Sequence, residues 1–391
     1  MIRSLRKDPV WRARLEQTID FARQWPWIYP RGIEPSAQAW VQRVQKNSGW
    51  YAGLRAHWFE TIHPGGTTVH EPPANCPPEM LPAFRQVATT QYPESFACYL
   101  SGAHLIGDEG FVLTPDNRVL AEFHHEFNIR SLRNALLRKP FVQVSLHVHR
   151  IDEPVGLLAA PQGWNHYHWL FDVLPRIHLL GRWSNVISRW AVSSRITAVQ
   201  KESLELLGIA EAQRLPLHPQ SRLRCQHLYA PSLPGSEGCT PPWAPQFLRK
   251  QFLPLAEKSA GCGPALYIIR GANSERPVLN EAKLVAMLQT QGFRAIDPSK
   301  MTFLEQVAAF RDARNIVSAH GAALANLVFS SCTNVLELFS ADYPRVDCYF
   351  TLSRQLGHTY ACWFDQRKAA ADKPWGAITV DLEAVRKLAT S

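Results

Sequence analysis

The chain has 391 residues, 46% hydrophobic and 19% charged, a balance that excludes a disordered polypeptide and allows two or three domains with large cores. Forty-two basic and 33 acidic side chains leave a formal charge of +9. That favours anionic partners such as nucleotide diphosphates or lipid headgroups, but no basic run is dense enough for a nucleic-acid tail and no recognition-module signature occurs.

The eight cysteines show no CxxC and no zinc or disulfide spacing, which points to a reducing compartment. No apolar run reaches about 18 residues, so no membrane span is expected. The basic start lacks the apolar stretch of a secretory signal. The expectation is a cytoplasmic protein, with the inner face of a membrane as a possible resting place.

Residues 1–95 read as an extension, helical and Trp-rich to about residue 60, then broken into loops by PGG, EPP and CPP. Basic residues cluster at 3–14 and 130–139. From 96 to 125, ACYL, FVLT and RVLAEF alternate with turn residues, as strands and tight turns do. FVQVSLHV (141–148), VGLLAA (155–160), RWAVS (189–193) and RCQHLYAP (224–231) are strand candidates. AVQKESLELLGIA (198–210) is a helix candidate. Pro and Gly crowd 232–264 around one helical segment, which sets a boundary there. The division is 1–95 extension, 96–245 first α/β domain, 246–345 second α/β domain, and a tail at 346–391 expected to pack back on the first domain.

The last third alternates regularly. ALYIIR (265–270), FRAID (293–297), NIVSAH (315–320) and NVLELF (334–339) are strands. Between the first three lie helices, one with Asn280 as N-cap and Gly292 as its stop, the other with a Thr302–Glu305 capping box. This is the pattern of a parallel sheet with helices on its faces, whose ligands bind beyond the carboxyl ends of the strands. Arg270, Asp297 and His320 fall at those ends.

Three groups can carry chemistry. In GWNHYHWLFDVLPRIHLL (163–180) an apolar stripe runs beside a polar one made of Asn165, His168, Asp172 and Arg176. His168 and Asp172, four apart, share a helix face, and a carboxylate beside a histidine favours proton uptake near neutral pH. With Trp164 and Trp169 beside them, a site is favoured over internal hydrogen bonding. Pro175 is expected to bend the stripe between Asp172 and Arg176. Second, Arg270 and Arg276 offer forked donors that suit a diphosphate, or are a surface pair. Third, His320, Gly321 and the small residues after them form a strand–helix corner where an anion can approach backbone N–H groups, or where elements simply pack closely. Glu337, an acid inside an apolar strand, needs partners, either ligand hydroxyls or an ion pair.

His124, His125 and Glu126 are judged structural, as are His147 and His149. No D-x-D occurs, so the usual sequence sign of a metal held against a nucleotide diphosphate is absent.

In order, the chain carries N-x-x-H-W-x-x-D-x-L-P-R at 165–176, Y-I-x-R at 267–270, R-x-x-x-N-E at 276–281, E-Q at 305–306, H-G-A-x-L-x-N at 320–326 and E-L at 337–338. This ordered set resembles glycosyltransferase family 61, which includes EGF-domain and dystroglycan O-GlcNAc transferases, plant xylan glycosyltransferases and bacterial capsular polysaccharide proteins.

The resemblance implies a GT-B-like α/β fold, two Rossmann-like domains with parallel sheets facing a cleft. It implies an inverting glycosyltransferase that requires no metal or other cofactor and takes a nucleotide-diphosphate sugar as donor. On it, His168 or Asp172 is the base, with His168 favoured. Arg270, Arg276, His320, Gly321, Asn326 and Glu337 bind the donor, and Asn165, Trp169 and Arg176 line the acceptor side of the cleft. A capsular or cell-surface glycan is the expected acceptor, with a lipid-linked form and peripheral membrane association open. The alternatives are a non-catalytic glycan- or nucleotide-binding protein with the same fold, or another nucleotide-using enzyme. His166-Tyr167 departs from the aromatic-Gly pair frequent in the family.

Overall fold

The computed structural model describes residues 30–47, 57–123, 147–236, 238–257, 263–271, 276–340, 342–365 and 376–390. The basic clusters at 3–14 and 130–139, the helices expected before residue 30, the His124–His125–Glu126 group and most of the strand expected at 141–148 lie outside these residues.

The first part of the chain contains β1 (Gly32–Glu34), β2 (Trp58–His63), β3 (Gly66–Val69), β4 (Thr89–Tyr92), β5 (Ser95–Leu100), β6 (Ala103–Ile106), β7 (Phe111–Leu113), β8 (Arg118–Leu120), β9 (His149–Leu157), β10 (Arg189–Ser193), β11 (Arg214–Leu217) and β12 (Arg222–Pro231). β3 and β4 make a separate ribbon. The other ten form one mixed sheet, in the order β1-β8-β7-β6-β12-β9-β10-β11, with β5 also on β12 and β2 on β5. The strand-and-turn region at 96–125 is its antiparallel side, turning at Gly107 and at Asn117, both with positive φ. β12, β9, β10 and β11 run parallel. The crossover from β9 to β10 carries the polar-striped helix, and that from β10 to β11 carries the Ala198–Leu206 helix, capped by a Thr197–Gln200 box.

The second sheet is wholly parallel: β13 (Ala265–Ile268), β14 (Arg294–Ile296), β15 (Asn315–Ala319), β16 (Asn334–Ser340) and β17 (Thr359–Asp365), in the order β14-β13-β15-β16-β17. Thr302 and Glu305 close their capping box at the head of the Phe303–Asp312 helix. Asn280 stands at the N-cap position of the Glu281–Thr290 helix, but its side chain makes no capping bond. Its amide instead exchanges two hydrogen bonds with the backbone of Val380, each 2.8 Å. β17 lengthens this sheet past residue 345, and the Leu382–Thr390 helix packs on the Glu281–Thr290 helix.

One hydrophobic core joins the two sheets. Trp169, Phe171 and Trp190 from the first part share it with Phe303, Phe310, Phe329 and Phe350 from the second. Glu202 reinforces the join by accepting the N–H groups of Phe303 (2.7 Å) and Leu304 (3.3 Å), the first residues of a helix begun on the other side. Phe84 of the Leu81–Ala88 helix meets Phe350 edge-to-face at 5.2 Å, so the extension also packs against the second sheet's side. Among the described residues no helix is long and apolar enough to cross a membrane.

Candidate functional site

The polar-striped helix is not one regular helix. Asn165 caps it, its Oδ1 accepting the Tyr167 N–H at 2.9 Å. An α turn at His166–His168 widens into a π segment at Trp169–Val173, where the Leu174 N–H reaches the Trp169 carbonyl at 3.0 Å, and an α turn restarts at Pro175–Leu179. Pro175 has no N–H to give, so a wider turn just ahead of it suits the sequence. One extra residue in the turn rotates everything after it by about 100°.

That rotation separates the stripe. His168 Nδ1 and Asp172 Oδ2 lie 2.6 Å apart, with side chains 17% and 16% exposed. Arg176, expected on the same wall, is instead buried. It donates to the carbonyls of Leu158, Ala159, Pro231 and Ser232, where β9 and β12 end. Burial pushes its pKa down to about 9. It staples the sheet and does not reach the cleft. Trp169 is buried too, its Nε1 donating to Ser203 Oγ at 2.9 Å.

The second wall grows from the ends of β13, β15 and β16. Glu281 accepts the N–H groups of Arg270 (2.7 Å) and Gly271 (3.1 Å) and the Tyr267 hydroxyl (2.8 Å), which fixes the turn after β13. The Arg270 guanidinium lies directly over Gly321, where an added Cβ would overlap it. Arg270 Nε donates to the Arg276 carbonyl at 3.3 Å, and the Arg276 guanidinium lies 4.5 Å above the Tyr343 ring.

His320 follows β15 directly. Its Nδ1 is 2.6 Å from Glu337 Oε1, and the Tyr360 hydroxyl donates to Glu337 Oε2 at 2.5 Å. Glu337, expected among the donor-binding residues, is fully buried, with one oxygen on His320 and the other on Tyr360. Asn326 is likewise buried rather than in a donor pocket. Its Oδ1 meets His166 Nε2 at 3.0 Å and its amide donates to Gln306 Oε1 at 2.9 Å, so it ties the striped helix to the second sheet. Burial lowers the His166 pKa, with the Asn326 bond opposing it.

Two cavities open here. One, of about 430 Å³, is lined by Trp164, Asn165, His168, Arg276, His320 and Gly321, and by Tyr343, Arg345 and Tyr349. The other, of about 480 Å³, is lined by Arg270, Asp297, Ser299 and Ser318, beyond the ends of β13, β14 and β15. Gly321 borders both. The structure therefore brings Asn165, His168, Arg270, Arg276, His320 and Gly321 around one junction.

Sequence reasoning missed Tyr343, Arg345 and Tyr349. They follow β16, and the same strand-end rule that picked out His320 would have found them. Arg345 is held bidentate by Asp347, at 3.2 and 3.0 Å. Among the described residues no three His, Cys, Asp or Glu side chains converge as metal ligands do.

Residues 166–336 match the family model described as Glycosyltransferase 61. No curated protein matches the chain. The matched segment starts on the helix of His168 and runs through Arg270, Arg276 and the His320–Gly321 corner, taking in both walls of the junction. Residues 166–336 thus carry a likeness to glycosyltransferase family 61, and the match supports glycosyltransferase activity.

Proposed function

We propose that the protein is an inverting, metal-independent glycosyltransferase of GT-B-like arrangement, using a nucleotide-diphosphate sugar. The nucleoside lies in the 480 Å³ cavity at the strand ends, the diphosphate crosses Gly321 beneath Arg270, and the sugar faces His168 in the 430 Å³ cavity. One observation carries this reading: His168, backed by Asp172, from the first sheet's side and arginine and histidine side chains from the second line the same space.

With Nδ1 directed to Asp172, His168 takes the acceptor hydroxyl's proton on Nε2 while that oxygen attacks the anomeric carbon from the face opposite the diphosphate. The new C–O bond forms as the bond to the phosphate oxygen breaks. The electron pair leaves with the diphosphate, whose charge Arg270 and Arg276 offset. His320, oriented by Glu337, borders the same phosphate path.

A capsular or other cell-surface glycan, free or lipid-linked, fits a basic protein as acceptor.

Calorimetry with UDP, GDP and CDP tests the donor half of this reading. At least one should bind, and Arg270→Ala should weaken it by about 10- to 100-fold, the worth of a charge-assisted hydrogen bond to a phosphate. Unchanged affinity removes Arg270 from the diphosphate site.

A further inference from the structure

Trp164 is the one large ring on the His168 side of the 430 Å³ cavity that stands half in water, 49% exposed. Its backbone is held from several sides. Gly163 N–H donates to Ala160 O (3.0 Å), Asn165 N–H donates to Gln162 O (2.8 Å), and the buried Gln200 amide donates to both Gly163 O and Trp164 O at 3.2 Å. Gln162 turns the chain just before, with φ of 54°. The main chain that carries the indole is thus fixed in position, yet among the described residues no ring or cation stacks on it. A half-exposed apolar plane on a fixed backbone, in a cavity otherwise lined by arginine, histidine and tyrosine, calls for a ligand with an apolar face.

We infer that the Trp164 indole is the platform on which the acceptor's pyranose ring stacks, C–H face to ring, with its nucleophilic hydroxyl turned toward His168. The inference rests on the reading above and deepens it. The two other planar or ring-bearing parts of the substrates belong elsewhere. The nucleobase goes with the cavity on the far side of Gly321, and the donor sugar is tied through its phosphate to the Arg270 and Arg276 wall. Trp164 stands four residues before His168 on the opposite wall, where only the acceptor remains to be held. The surrounding polar groups, Asn165 and Gln162 among them, are placed for the hydroxyl edge of such a ring.

The test is saturation-transfer NMR with methyl pyranosides of glucose, galactose, xylose and N-acetylglucosamine on protein saturated with its preferred nucleoside diphosphate. Wild type, Trp164→Phe and Trp164→Ala are compared, with nucleotide affinity measured on each. The expected result is that at least one pyranoside binds wild type, that Trp164→Phe retains it, and that Trp164→Ala weakens it about tenfold or more with nucleotide affinity unchanged. Pyranoside binding that survives Trp164→Ala overturns the inference, and so does the failure of every pyranoside on nucleotide-loaded wild type. Loss of nucleotide affinity in Trp164→Ala also overturns it, by assigning the ring to the donor. Wild type that binds no nucleotide contradicts the donor site itself, a separate result.

Discussion

Gly321 is set by what lies over it rather than by its backbone, whose φ of 177° any residue adopts. The Arg270 guanidinium occupies the space a Cβ would need. Gly321→Ala should therefore push that guanidinium off the junction and lower nucleoside-diphosphate affinity about tenfold or more by calorimetry, close to the effect of Arg270→Ala itself. In the double variant the two losses should not add, because both remove one contact. Affinity at the wild-type level in Gly321→Ala would detach Arg270 from the phosphate path. At this scale the sequence was legible where the chemistry is local. His168 and Asp172 are four apart, and a four-residue spacing holds even across the π segment. Arg176 was misplaced because nothing in the periodicity announces the extra residue in the turn. Glu337 was recognisable as an acid in need of partners, but one of them, Tyr360, sits on a strand that sequence reading did not find.

Among the elements, the Phe303–Asp312 helix has the clearest local code. Thr302 takes the Glu305 N–H on its hydroxyl at 3.2 Å, and Glu305 returns to the Thr302 N–H at 2.8 Å. Thr302→Ala should lower stability by about 1 kcal/mol in urea unfolding with an unchanged slope; no loss would mean that Glu202, reaching the same helix end from the other part, already suffices. Such boxes are readable because both partners lie within one turn. Asn280 looked equivalent, yet its amide answers to Val380, a hundred residues away, and no local rule carries that information. β6 and β17 escaped notice. Ala103–Ile106 is a short run embedded among turns, whereas TYACWFD, with Thr359 and three aromatics after Gly357, carries a strand's residues and was overlooked in the tail.

Across the whole molecule, the alternation of strands and helices in the last third was enough to foresee a parallel sheet, and a cavity opens at its carboxyl end. How the first sheet meets it was not foreseeable, because the join depends on residues far apart in the chain: Glu202 on the Phe303 helix, His166 on Asn326, and the aromatic core shared by Trp169, Phe303 and Phe350. That join brings His168 from one side to face arginine and histidine side chains from the other, and it is the basis of the catalytic reading. The most direct measurement is turnover and nucleotide affinity together in His168→Ala, on a donor and acceptor that the wild type uses. The account predicts that kcat falls by about 10²- to 10⁴-fold while the nucleoside diphosphate binds as tightly as before. Turnover at the wild-type rate would contradict it.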